Sequence, residues 1–202
     1  MASKLSIYRG ALRLLGPHEL AALTDDRPER YQLDDAWDDA AAYVLQDGLW
    51  NFAIRSATVT QSGTTIAGWD YAFTKPTDLV RLVGISNEST FLVGFEDYQD
   101  QGGKWYANVD TLYVRYVSND ASYGLSIASW PASFAKAMEA YLAFETGLPV
   151  SGDRGNRNDL FQLYRSRLAR AKALDAFDES VKFPPAGRLV RSRYGNRLSK
   201  DG

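Results

Sequence analysis

Leu5, Tyr8, Leu12 and Leu15 recur at helical spacing, and Gly16-Pro17 supplies a stop, so residues 3 to 15 read as an amphipathic helix. A second helix is expected from near Asp34 to about Gly48, because Trp37, Ala40, Ala41, Val44 and Leu45 fall on one face while Asp35, Asp38, Asp39 and Gln46 mostly fall elsewhere. After Trp50 the period changes from helical to alternating. Phe52, Ile54 and Thr58 to Thr60 are β-formers, Ser62-Gly63 marks a turn, and Trp69, Tyr71 and Phe73 alternate with Asp70, Ala72 and Thr74 up to Lys75-Pro76. Further strands are expected at Leu79 to Ile85, Phe91 to Phe95, Lys104 to Val109 and Thr111 to Val117, with Gly102-Gly103 as a turn. Helix returns at Pro131, which suits a first helical position because its missing N–H would be unpaired there anyway. Phe134, Met138, Tyr141, Leu142 and Glu145 follow, and Gly147 with Pro149 is expected to end it. Beyond a polar loop, Phe161, Tyr164, Leu168, Ala171 and Leu174 form the stripe of a last long helix that Phe183-Pro184-Pro185 terminates.

The pattern describes an α+β protein, in which a helical bundle from N- and C-terminal helices carries an inserted small antiparallel β domain and an extended basic C-terminal tail. The helical core would comprise residues 1–50 and 131–183, the inserted β domain residues 51–130, and the tail residues 184–202. Leu12, Leu15, Trp37, Val44, Phe134, Met138, Tyr141, Phe161, Tyr164 and Leu168 are the expected shared core, since a helix with one apolar stripe cannot bury it alone.

Composition narrows the chemistry. A chain of 202 residues is one domain of ordinary size or a domain with a small insert. Zero cysteines exclude disulfides, thiolate metal sites and a cysteine nucleophile, and the single histidine, His18, argues against a His-rich metal site or a catalytic triad. Lys4, Arg9 and Arg13 interrupt the apolar residues of the first helix, so no secretory signal is expected there, and no run reaches the ~20 apolar residues of a membrane helix. No cofactor is expected. The net charge of −2 hides two opposite segments. Residues 25 to 47 hold eight acids against Arg27 and Arg30, while residues 154 to 200 hold twelve bases against four acids. Such segments pair within a subunit or between copies.

The aspartates Asp34/Asp38 and Asp35/Asp39, spaced to stack on a helix, read as a solvated or partner-facing surface rather than a cation site, since no Gly-containing calcium loop accompanies them. The loop Ser151 to Arg157 is glycine-rich and precedes a helix, yet lacks the Gly-Lys-Ser/Thr ending of a phosphate-binding loop. Basic residues are sparse among the aromatics of the β unit, which argues against a platform for single-stranded nucleic acid. Glu96, Asp97 and Asp100 form the acidic cluster that a hydrolytic reading of this unit would need. These residues point to no enzyme. Nucleic-acid binding through phosphates by the Arg-rich C-terminal half is the alternative.

The order of several segments resembles the head-to-tail adaptor proteins of tailed bacteriophages, particularly the tail tubular protein A family of short-tailed phages. The segments are Ala11 to Gly16, Gly48 to Ala53, Tyr71 to Arg81, Leu112 to Val117, Trp130 to Ala137, Leu160 to Ala176 and the basic ending Gly187 to Gly195. The resemblance implies a structural protein of the virion tail, made in the host cytoplasm, in which a ring of roughly a dozen copies joins the portal protein to the tail nozzle or other tail proteins. DNA would pass through the channel without sequence-specific binding, and no membrane or catalysis is implied. Asp34, Asp35, Asp38 and Asp39 on one helix and Arg165, Arg167 and Arg170 on another are the expected subunit interface, because a closed ring joins two different faces of one subunit. Arg188, Leu189, Val190, Arg191, Arg193 and Tyr194 are expected to dock on the portal or on a neighbouring subunit, their arginines meeting carboxylates. Truncation after Phe183 should therefore leave the thermal unfolding midpoint of the monomer nearly unchanged and abolish attachment to portal rings. Wild-type affinity of the truncated protein for those rings would remove the docking role.

Overall fold

Ser3 starts the first helix with a reciprocal cap. Its hydroxyl accepts the Ser6 N–H at 3.1 Å and the Ser6 hydroxyl accepts the Ser3 N–H at 2.9 Å, so two donors at the helix start find partners. This helix, α1 (Lys4–Leu15), opens a computed structural model that describes residues 2–16, 19–151 and 156–178. Helix α2 (Pro28–Gln46) begins about a turn and a half before the start near Asp34 that the apolar pattern suggests. Pro28 occupies its first turn with Glu29 beside it, both suited to a helix N-terminus, while the residues before Leu33 are polar and largely exposed and so carry no apolar signature.

The chain then forms six strands, β1 (Ile54–Thr60), β2 (Tyr71–Thr74), β3 (Leu79–Ser86), β4 (Tyr98–Gln101), β5 (Lys104–Ala107) and β6 (Thr111–Ser118). They make two three-stranded antiparallel sheets among the described residues, ordered β1-β6-β3 and β2-β5-β4. Gly102 and Gly103, at φ 60° and 77°, make the two-residue turn between the paired ends Gln101 and Lys104, a conformation that strains any side chain with a Cβ. The strand expected at Phe91 to Phe95 is not one. That stretch is loop, with Leu92 and Val93 both turned to solvent, and the strand it would have supplied lies later, at β4.

Phe73, Trp105 and Ala107 of the second sheet meet Ile85, Leu112, Val114 and Tyr116 of the first in one apolar layer. The other face of the first sheet presents Val80, Val83 and Val117 to the helices. Strict alternation would not put Val80 and Val83 on one side and Leu79 and Leu82 on the other. Two register shifts in the β3–β6 pairing, between Leu79 and Arg81 and between Leu82 and Gly84, supply the extra residues that do so.

Helix α3 (Ala132–Ser151) packs against α1, α2 and α4 (Arg157–Phe177). The sequence pattern shows one stripe on it, but Ala135, Ala137, Ala140 and Ala143 are buried as well, so it is covered on nearly all sides. Gly147 and Pro149 do not stop it. Gly147 keeps helical backbone there, and a proline in the last turn forfeits only one helical bond. Of the ten expected core residues, Leu12, Trp37, Val44, Phe134, Met138, Tyr141, Tyr164 and Leu168 are buried, while Leu15 and Phe161 are half-buried at the edge.

Phe134 sits where the chain leaves and rejoins the helices. Its ring makes edge contacts with Trp50, Phe52 and Trp130, each with centroids 4.8 Å apart, and Trp130 stacks on Trp37 at 5.8 Å. Replacing Phe134 by alanine should cost about 3–5 kcal/mol, from lost burial and the cavity left behind. A loss below about 1 kcal/mol in denaturant unfolding would show that the aromatic junction is not where the two parts are held together.

Candidate functional site

The acidic face of α2 splits into two roles. Asp34 is drawn inward, accepting from the Tyr8 hydroxyl at 2.7 Å and pairing with Lys4 at 3.0 Å and Arg30 at 2.7 Å. Burial pushes its pKa up, but the hydrogen bonds from Tyr8 and Lys4 and the two nearby cations outweigh this and hold it below the ordinary carboxylate value. Burial, and then the Asp34 carboxylate, push the Tyr8 hydroxyl far up, so it remains a donor. Asp35, Asp38 and Asp39 stay exposed along the same helix.

The basic face of α4 divides likewise. Arg167 donates to the Lys136 carbonyl at 3.0 Å and lies 3.7 Å from the Glu139 carboxylate, which also pairs with Lys136 at 2.8 Å. Glu139 is buried against Gly10 of α1, where any Cβ would occupy the space of its carboxylate. Arg165 and Arg170 are exposed. Arg167 and Arg170, three residues apart, share one side of the helix, and Arg165 projects from another. Of the seven expected interface residues, Asp34 and Arg167 are therefore engaged inside the subunit, and five face solvent.

A groove of about 380 Å³ between α3 and α4 is lined by Ala132, Ser133, Lys136, Arg167, Arg170 and Leu174. A second, of about 660 Å³, opens between the two sheets beside Phe95, Glu96, Tyr98 and Asp100. The acidic cluster there does not converge on a reacting centre. Asp100 accepts from Lys75 at 2.7 Å and from the Trp105 indole at 3.2 Å, and Glu96 and Asp97 point into solvent. Among the described residues no group of three His, Cys, Asp or Glu side chains is arranged to hold a metal, and no helix is long and apolar enough to cross a membrane. His18, the glycines of the loop before α4, and the tail residues Arg188, Leu189, Val190, Arg191, Arg193 and Tyr194 lie outside the described residues.

Sequence reasoning passes over the joint at Asp78, which lies inside the Tyr71 to Arg81 segment without being singled out. Its carboxylate accepts from Arg55 of β1 at 2.9 Å, from Tyr116 of β6 at 3.0 Å and from the Ser118 hydroxyl, and its carbonyl accepts the Asn119 N–H at 3.0 Å. Nothing local in the sequence marks this cluster, because its side-chain donors lie up to 40 residues from Asp78. Two further joints hold α4 to the chain before the sheets. Tyr164 donates to Asp47 at 2.7 Å, and the Asn51 N–H meets the Asp175 carboxylate at 3.1 Å.

No protein-family model matches this chain, and no curated protein matches it either.

Burial pushes the Asp78 carboxyl up, yet the hydrogen bonds from Ser118, Arg55 and Tyr116 prevail and its pKa is lowered. A carboxyl depressed in the folded state adds stability that is complete above its unfolded pKa of about 3.9 and is lost as pH falls through the lower folded value. Stability should therefore drop on acidification below about pH 4, and Asp78→Asn should be less stable at neutral pH with a shallower acid limb. Urea midpoints measured across that range check this. An acid limb as steep as wild type would mean that Asp78 gains nothing from its three donors.

Proposed function

We propose that this chain is a structural virion protein, the head-to-tail adaptor of a tailed bacteriophage, forming a ring that joins the portal to the tail nozzle and lines the DNA exit path. In this reading the four helices act as the ring-forming bundle, and the paired sheets are the module presented to the next tail component. The reading rests on the resemblance of the ordered segments Ala11 to Gly16, Gly48 to Ala53, Tyr71 to Arg81 and Trp130 to Ala137 to that family. The observation that supports it best is that one subunit carries two exposed helices of opposite charge, with Asp35, Asp38 and Asp39 along α2 and Arg165 and Arg170, on two sides of the helix, along α4. A cyclic ring brings two different faces of identical subunits together, and opposite charges set their register and speed their encounter. Exposed pairs contribute only ~0–1 kcal/mol each, so apolar contacts supply most of the affinity.

Negative-stain microscopy of the purified protein, alone and mixed with portal rings, tests the assembly directly. Rings, or a collar on the portal, are expected. A protein that stays monomeric under both conditions and binds DNA with steep salt dependence would instead favour the nucleic-acid reading. The charge pairing has its own test. Asp35→Lys with Asp39→Lys should impair ring formation, and adding Arg165→Glu, which is not part of the α3/α4 groove, should restore it. Folded variants that show no rescue would defeat this pairing.

A further inference from the structure

The loop between β3 and β4 is an apolar projection that the protein holds in place. Leu92 is 83% exposed and Val93 66%, side by side at its tip. Phe91, just before them, adopts φ 54°, a left-handed conformation that a bulky side chain rarely takes. Several contacts keep it so. The Arg115 guanidinium lies 4.2 Å from the centre of the Phe91 ring, the Ser86 hydroxyl donates to the Val93 carbonyl at 2.9 Å and accepts the Glu88 N–H at 3.0 Å, and the Phe95 N–H donates to the Ile85 carbonyl at 2.8 Å. Strain kept in place by surrounding contacts is found where a local shape has a use. Exposed acids flank the tip, namely Glu88, Glu96 and Asp97.

The groove between α3 and α4 has the complementary character. Ala132 and the half-exposed Leu174 give it an apolar floor, which Phe177, 82% exposed three residues beyond Leu174, continues on the helix surface. Lys136, Arg167 and Arg170 rim it, and Glu139 offsets only part of their charge.

We propose that the Leu92-Val93 tip of one copy seats in the α3/α4 groove of the next copy. The occupant is a second copy because the tip's acidic flanks match the groove's basic rim, and because knob and groove are different surfaces of one chain, as a head-to-tail contact requires. The inference rests on the ring reading above and names the apolar contact which that reading needs. Burying two aliphatic side chains against Leu174 and Phe177 gives the interface a desolvated centre, and the charges around it form the rim.

The absence of cysteine makes a clean test possible. Val93→Cys and Leu174→Cys, prepared as separate proteins, are mixed and oxidised. A disulfide needs Cα atoms about 4.4–6.8 Å apart, so a mixed dimer forms efficiently only if the two sites meet. The expected result is a mixed dimer on a non-reducing gel, far stronger than for Val93→Cys mixed with Gln61→Cys, and a ladder of multimers when both cysteines are placed in one chain. Leu92→Asp, at a solvent-facing position, should shift the protein to monomers while leaving its circular dichroism and unfolding midpoint unchanged. If wild type assembles but the mixed dimer is no stronger than the control, or Leu92→Asp assembles as wild type does, the knob-and-groove contact is wrong and the ring reading stands. If wild type forms no assemblies, alone or with portal rings, both fail.

Discussion

The contacts of Phe134 with Trp50 and Trp130 close a gap that the topology opens. The chain leaves the helices at Trp50, runs through six strands, and returns at Trp130. A long excursion costs little extra loop entropy, but it needs its two ends fixed near each other if the sheets are to lie against the helices in one arrangement. Rings packed edge to face around Phe134 do this, and the Trp50 and Trp130 indoles also donate to the Val44 and Gly124 carbonyls at 3.1 and 2.7 Å. α3 begins at this junction and is covered by the other three helices, so the aromatic cluster also positions the element on which the helices converge.

Around that junction, buried or half-buried carboxylates act as joints between segments that the apolar cores alone would let slide. Asp78 ties the start of β3 to β1 and β6, Asp34 ties α2 to α1 through Tyr8 and Lys4, and Asp47 ties the end of α2 to α4 through Tyr164. Each has a donor from a distant part of the chain, which gives it direction as well as energy. Removing one partner strands the other, so these joints specify an arrangement more than they add net stability.

The surface beyond these joints carries the functional argument. The charged side chains left exposed on α2 are acidic, those left exposed on α4 are mostly basic, and the one strongly projecting apolar feature among the described loops is flanked by acids. A self-association built from such surfaces would be directional and salt-sensitive at its edge, with its affinity centred on a few aliphatic and aromatic side chains. In the ring proposed above, such a contact would add subunits in one direction until the ring closes.

The four helices and their order, the change to alternating strands after Trp50, the glycine turn at 102–103, and the mixed α and β class were legible in the sequence, because spacing of apolar residues and turn chemistry are local properties. The opposite charges of α2 and α4 were legible for the same reason. Helix ends were not: α4 ends at Phe177 rather than at the prolines after Phe183. Other features depended on partners far away in the chain. The early start of α2 carried no apolar signal, the Phe91 to Phe95 run had β-forming residues but no strand to pair with, and the alanines that extend the buried surface of α3 beyond its stripe looked neutral until helices were placed around them. Which aspartates stay free to meet a neighbour was likewise a tertiary decision. Asp34 and Asp38 are equivalent in sequence pattern, and only the placement of Tyr8 and Lys4 by α1 draws the first inward and leaves the second in solvent, since a carboxylate's role is fixed by the donors that reach it.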